Sequence, residues 1–400
     1  MPEKAFRTLR NISILYAATF AFLVGSLTLI LLQKGMTLAQ VGLYYTLYSI
    51  GVLLFQIPTG AFADAYGRKK AIAAAFLFQI IFGIGFVLIP NGLVFVGFAL
   101  VVAFADSMMS GAAEAYAVEI LPQKQQQDYT HKLLASSKTW GFSVFLFGAI
   151  IGGYLTTVSP VYPVILCLIF GIIGLGYSLT LKETETKQKF DKAEREILSK
   201  SGKAFDLVFQ NQELLTICSL TFLLGLSAVG LFIYWQPVLS KLLDWNATAT
   251  GAFFSVISIA IIIGSKTSSW LKPKTSVAFL VIVGFGITLL IASWIPIPLA
   301  VALLILAWEF LFGFYLPIES TVVSNNSPPA LRATVLSVKG MFYQAGRVIF
   351  GLFIFFSESL WSNEPRIVWT VGASILLIGV GVVFIEIYRK RTRGSKRSLH

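Results

Sequence analysis

The sequence predicts an all-α membrane protein with twelve transmembrane helices in two pseudo-symmetric six-helix bundles and both termini on the cytoplasmic side. Three observations carry this. Of 400 residues, 56% are hydrophobic and 12% charged, with a mean hydropathy of +0.79; soluble domains carry about a quarter charged residues, and so much apolar surface in water would aggregate. Twelve apolar stretches are each close to the roughly 20 residues that cross a hydrocarbon core of about 30 Å. Lysine and arginine collect between alternate stretches.

The stretches run over 11–32, 41–63, 71–89, 93–121, 139–157, 162–181, 214–235, 251–270, 277–294, 299–323, 334–356 and 367–388. They lack the period-2 alternation of barrel strands, which leaves helices as the way to satisfy the backbone in lipid. The first follows Lys4, Arg7 and Arg10 as a signal peptide would. It is too long for an h-region and no small-residue cleavage site follows, so it reads as a retained span. Short turns such as "PNG" at 90–92 and "PIP" at 296–298 join many of the others. Placing both termini in the cytoplasm puts 27 of the 31 Lys and Arg on that side, as the positive-inside rule requires. The net charge of +12 therefore orients the chain and meets anionic lipid, and no nucleic acid is needed to explain it. Cys167 and Cys218 lie in apolar runs and imply no disulfide framework.

The organisation is a bundle over 1–181, a polar cytoplasmic linker over 182–204, a second bundle over 205–388 and a basic tail over 389–400. The segment "FDLVFQNQELL" reads as an amphipathic entry to the seventh span. Two joined six-helix halves suggest a duplicated secondary transporter.

At the turn between the second and third spans stands "GAFADAYGRKK", residues 60–70. Gly60 permits close packing, Gly67 a tight turn, and Asp64 can accept from Arg68 or from free helix N–H groups. In this place the string resembles the signature of the major facilitator superfamily, G-x-x-x-D-x-x-G-R-[KR], matched by Gly60, Asp64, Gly67, Arg68 and Lys69; Ala65 departs from it. The resemblance implies two bundles rocking about a central cavity lined by spans 1, 4, 7 and 10. It also implies a cytoplasmic latch, with Asp64 near Arg332–Thr334 and Arg68 on Glu119. A second, partial resemblance is "VFLFGAIIGG" on the fifth span, similar to the G-x-x-x-G-P-x-x-G-G of drug:proton antiporters. Gly148, Gly152 and Gly153 match, while Val144 and Ala149 do not; the glycines also suit plain helix packing.

Carboxylates stand inside apolar spans. Asp106 lies 13 residues into the fourth span and Glu309 10 residues into the tenth, about 20 Å and 15 Å along their axes. Glu114 and Glu319 form a second pair lower down. An ionised carboxylate there costs about 2.5–3.5 kcal/mol or more in lipid, so it needs a basic partner or a proton. Arg347 is expected at the depth of Glu309, and Lys339 at that of Glu319. No basic residue matches Asp106, which makes it the first candidate for proton coupling, with Glu309 and Glu114 behind it. Glu119, Glu114 and Glu319 are equally readable as structural charge partners.

The cavity-lining spans hold no Lys or Arg in their cores and offer Tyr16, Thr19 and many aromatics. That suits lipophilic neutral or cationic substrates better than phosphates or sugars; Trp308 could stack on such a molecule or simply pack. The two histidines, His131 and His400, give no catalytic pairing, and no metal cluster or nucleotide-binding loop appears, so no enzyme and no cofactor are expected. The driving force is then an ion gradient: a proton entering down 100 mV delivers about 2.3 kcal/mol. The expectation is a monomeric, proton-coupled exporter in a prokaryotic cytoplasmic membrane, its partners being a small-molecule substrate, protons and lipid. Uptake symport, lipid flipping, or a receptor on a transporter scaffold are the alternatives.

Overall fold

The computed structural model describes residues 2–89, 92–121, 123–183, 190–329, 331–357, 360 and 364–397. Among them there is no strand. The first half contains α1 (Pro2–Val24), α2 (Leu27–Gln33), α3 (Leu38–Tyr66), α4 (Arg68–Leu88), α5 (Gly92–Val96), α6 (Phe98–Met109), α7 (Ala112–Glu119), α8 (Gln123–Val158) and α9 (Val161–Thr180). After these come α10 (Phe190–Gln210), α11 (Gln212–Leu243), α12 (Ala247–Ser268), α13 (Thr275–Trp294), α14 (Pro298–Asn325), α15 (Arg332–Phe356) and α16 (Arg366–Arg397). Eleven helices among the described residues are long and apolar enough to cross a membrane, or up to twelve if the pair Glu3–Val24 and Leu27–Gln33, bent by 58°, is one span. The bend falls at Gly25–Ser26, inside the first apolar run.

Two other stretches depart from the expected pattern. The fourth span, read as one run over 93–121, is divided into α5, α6 and α7. Its lower break is at Ser110–Gly111, where Gly111 takes φ +76°, a left-handed conformation that costs a glycine little. The polar stretch over 182–204 is not loop throughout, because α10 begins at Phe190; residues 184–189 lie outside the described residues. Ala204 and Val208, four apart, are buried while Phe209 is exposed, so α10 buries one stripe. Pro90 and Asn91 of the "PNG" turn and the last three residues of the tail also lie outside the described residues, whereas 389–397 continue α16.

The chain forms two compact units, 1–199 with 239–259, and 200–238 with 260–400. In the first, α1 packs on α8 and α9, while α4 packs on α6 and α9 and α3 on α6. Small residues set the closest approaches. A methyl group added at Gly152 would collide with the backbone of Phe22, and one at Gly148 would stand 2.7 Å from the Ala21 methyl. Gly153 and Gly251 face each other so closely that a Cβ on either would lie 3.1 Å from the other's Cα. Ser26 and Thr156 share a 3.0 Å hydrogen bond beside this seam. In the second unit α13 packs on α14 and α16. Gly225 lies against the backbone of Tyr343, and Gly264 and Gly313 bring α12 and α14 together. Both units thus use glycine where backbones, rather than side chains, meet, as membrane helices without a hydrophobic driving force between them must.

Candidate functional site

The site in the first unit is built from four helices that turn polar groups inward. On α4 the buried stripe runs Ile72, Phe76, Gln79, Gly83, so helical spacing alone places the Gln79 amide among apolar neighbours. On α1, Tyr16 follows the buried Ile12 by one turn; on α3, Tyr44 and Tyr48 are one turn apart; on α6, Asp106 follows the buried Val102 by one turn. These positions converge. Tyr16 Oη donates to Asp106 Oδ1 at 2.6 Å and Tyr48 Oη to Oδ2 at 2.8 Å. Gln79 Nε2 donates to Tyr16 Oη at 3.2 Å and to Asp106 Oδ1 at 3.4 Å. Tyr44 stands close enough to interact electrostatically with the same carboxylate. No ion pair joins Asp106 to a basic side chain among the described residues. The carboxylate is not salt-bridged to any described residue, and as whole residues Asp106, Tyr16 and Tyr48 are each partly exposed.

The sequence pointed to Asp106 and Tyr16 but missed Tyr48 and Gln79. The available signal was that each is a polar group in an otherwise apolar span. Thr19 is buried, and its hydroxyl donates to the Tyr16 carbonyl at 2.7 Å, so it is a local backbone partner here. The break after α6 lies one turn below Asp106. Ser110 N–H donates to the Asp106 carbonyl at 2.8 Å, and the Ser107 carbonyl accepts from Thr59 Oγ1 on α3 at 3.1 Å. Glu114 follows in the first turn of α7, where the helix N-terminus favours an anion; it has no hydrogen bond or ion pair to another described residue.

The second unit treats its acids differently. On α14, Trp308, Phe312, Tyr315 and Glu319 share one stripe, and on α15 Lys339, Tyr343 and Arg347 share another. Lys339 Nζ donates to Glu319 Oε1 in an ion pair, and Thr221 Oγ1 of α11 donates to Oε2 at 2.9 Å while bonding Tyr315 Oη at 3.0 Å. Glu319 is 2% exposed, so its charge requires that partner. Glu309 is also buried and has no hydrogen bond or ion pair to another described residue. The structure does not bring it together with Arg347, whose Nη1 donates to Gln344 Oε1 at 3.4 Å and whose guanidinium lies 5.8 Å from the Tyr343 ring centre. Trp308 is 1% exposed, inside a cluster with Phe232, Phe285 and Phe312; its Nε1 has no partner among the described residues.

The turn between α3 and α4 forms a compact charge cluster. Gly67 has φ +101° and joins the two helices directly. Arg68 pairs with Asp64 one turn earlier, and its Nε lies 3.5 Å from Glu119 Oε1 at the end of α7. A Cβ added at Gly60 would lie 3.6 Å from the Ile197 side chain of α10, an ordinary contact, while Lys70 lies 3.9 Å from Glu183. Lys69 has no ion pair among the described residues.

Residues 11–351 match the sequence profile of the Major Facilitator Superfamily. The chain belongs to that superfamily. It is 22% identical over 333 residues to the uncharacterized MFS-type transporter YxaM of Bacillus subtilis, covering 81% of this chain and 82% of that one. Among solved structures it resembles the nucleoside transporter NupG, with TM-score 0.77, 16% identity and coverage of 95% and 98% of the two chains. It also resembles a D-xylose-proton symporter, with TM-score 0.69, 13% identity and coverage of 94% and 96%. A bacterial homologue of the lysosomal transporter Spinster gives TM-score 0.71 at 14% identity, covering 96% and 95%. This major facilitator protein is therefore a multi-pass membrane transporter; at such identities the structural likenesses speak for the fold.

Proposed function

We propose that the protein is a proton-coupled exporter of lipophilic neutral or cationic small molecules, working by alternating access between two six-helix bundles. In this reading it has twelve spans with both termini in the cytoplasm of a prokaryotic cell, acts as a monomer, and needs no cofactor beyond the proton gradient. The observation that carries it is the Asp106 carboxylate, held within a membrane-spanning helix by neutral tyrosine and amide donors and left partly open. A carboxylate without a fixed cation can change charge by taking a proton, and a change of charge in an apolar span gives the two access states different energies. Glu309, buried without a hydrogen bond or ion pair to another described residue, is a second place for a proton or for a cationic substrate. Export rather than uptake is supported by the glycines of α8 that match the antiporter pattern, and the substrate class by the absence of Lys and Arg from the cavity-lining cores.

Uptake by proton symport is the second reading, favoured by the fold shared with a D-xylose-proton symporter. Both readings give Asp106 the same role. The test is purified protein in liposomes with a trapped pH indicator, challenged with tetraphenylphosphonium and with uncharged lipophiles first ranked by thermal shift. Substrate should drive proton movement in the wild type, outward-directed for export and inward-directed for symport. Asp106→Asn should retain binding and lose accumulation against a gradient. Accumulation by that variant would remove Asp106 from the mechanism.

A further inference from the structure

The network around Asp106 satisfies the carboxylate in its ionised form and leaves the protonated form one acceptor short. Oδ1 receives Tyr16 and Gln79, and Oδ2 receives Tyr48. A proton taken from water onto either oxygen turns an acceptor into a donor, so two hydroxyls, an amide NH2 and a carboxylic O–H would then compete for the oxygens left. Tyrosine hydroxyls can accept, but each must send its own hydrogen elsewhere.

One acceptor stands ready. Gln79 is 5% exposed, its Nε2 lies on Tyr16 and Asp106, and its Oε1 has no partner among the described residues. A buried amide oxygen left unbonded carries a desolvation penalty, and such groups in a native fold call for an explanation. An amide is a donor at one end and an acceptor at the other, and a half-turn about its terminal bond exchanges the two. We propose that Gln79 is a positioning residue for the proton on Asp106, donating through Nε2 to the ionised carboxylate and, turned over, accepting through Oε1 when the carboxyl is protonated. The hydrogen accepted is the carboxylic one, or that of Tyr16 when the carboxyl donates to the phenol oxygen. No covalent bond of Gln79 changes, and the proton stays on the carboxyl.

The ionisable surroundings do not supply another explanation. Tyr16 faces Asp106 from α1, and Tyr44 and Tyr48 from α3. On α4 no ionisable residue follows Lys70, α5 has none, and Asp106 is the only one on α6. Glu114 lies on α7 beyond the break.

This inference rests on Asp106 taking the proton, and the experiment separates the two. Infrared difference spectra of the protein in liposomes are recorded across a pH titration, with no substrate present. The carboxylic C=O band that disappears in Asp106→Asn belongs to Asp106. In Gln79→Met that band should move to higher frequency because its hydrogen-bond partner is gone. Its titration midpoint should fall by up to about one pH unit, since the acid loses its acceptor while the anion loses only the long 3.4 Å Nε2 contact and keeps two shorter phenol donors. Gln79→Asn, which keeps an amide on a shorter arm, should lie between. In the wild type, a glutamine amide band absent from Gln79→Met should shift within the same titration. An Asp106 band unchanged in frequency and midpoint in Gln79→Met overturns the role of Gln79 alone. So does a wild-type titration without the amide shift, which decides the matter if the methionine variant does not fold. If no titrating band is lost in Asp106→Asn, both this inference and the proposed role of Asp106 fall.

Discussion

Asp106 in the first unit and Glu319 in the second answer the same difficulty in opposite ways. Each is a carboxylate in a long apolar helix with a phenol beside it, Tyr16 for one and Tyr315 for the other. Glu319 is closed in, with a lysine on one oxygen and a threonine hydroxyl on the other. Asp106 is a partly exposed residue and, among the described residues, receives only neutral donors. Lys339 puts a cation against Glu319, and no cation stands against Asp106 among the described residues. The two acids thus differ in what surrounds them, and the difference lies in which residue type stands one helix away.

The largest effect that would sharpen this contrast is on stability in the second unit. Removing one member of the buried pair, as in Lys339→Met, should cost about 3–5 kcal/mol, because the buried Glu319 would lose its cation and keep the neutral Thr221 hydroxyl. Lys339→Met with Glu319→Gln should recover most of the loss. Thermal unfolding in detergent measures both, and equal destabilisation by single and double variants would break the comparison. By contrast, Asp106→Asn should unfold within about 1 kcal/mol of the wild type, since no buried cation is stranded; its penalty should appear in coupled transport.

Packing comes next. Gly152→Ala presses a methyl group into the Phe22 backbone and should cost about 1–3 kcal/mol by overpacking, read as a fall in apparent Tm. Gly141→Ala on the same helix meets nothing within 4 Å and should leave Tm unchanged or raised. Equal shifts at the two positions would mean that the seam is looser than its geometry.

The smallest stability effect should come from the cytoplasmic turn. Arg68, Asp64 and Glu119 are each at least a fifth exposed, and such pairs contribute roughly 0.2–1 kcal/mol. Arg68→Ala should therefore barely move Tm and leave substrate binding within a few-fold, while slowing transport through the gate that the resemblance implies. Loss of binding equal to the loss of transport would argue against a gating role.

Much of this was legible in the sequence because it follows from period and depth. Apolar run length locates the helices, and the register of α14 against α15 brings Glu319 to Lys339. The spacing from Gly60 to Lys69 locates the charged turn. Three features were not legible for stated reasons. The break at Ser110–Gly111 lies in a run with no proline and enough apolar residues to read as continuous helix. The helix from Phe190 follows a run of charged residues whose composition reads as loop, and only its buried stripe at Ala204 and Val208 distinguishes it. The convergence of Tyr48 and Gln79 on Asp106 depends on the rotation of α3 and α4 about their axes, which a run of mixed apolar residues does not fix. Equal depth also misleads: Glu309 and Arg347 match in depth, yet their side chains are not paired here.

The break between α6 and α7 has a consequence for solvent. A helix that restarts at Ala112 begins with backbone N–H groups that no residue of its own turn accepts, and Ser110 and Gly111 beside them are exposed. Irregular backbone at this depth persists only where protein or water serves it, so a hydrated pocket should reach to within one helical turn of Asp106. Deuterium uptake would show it: amides 111–114 should exchange much faster than those of 99–105 in the same span.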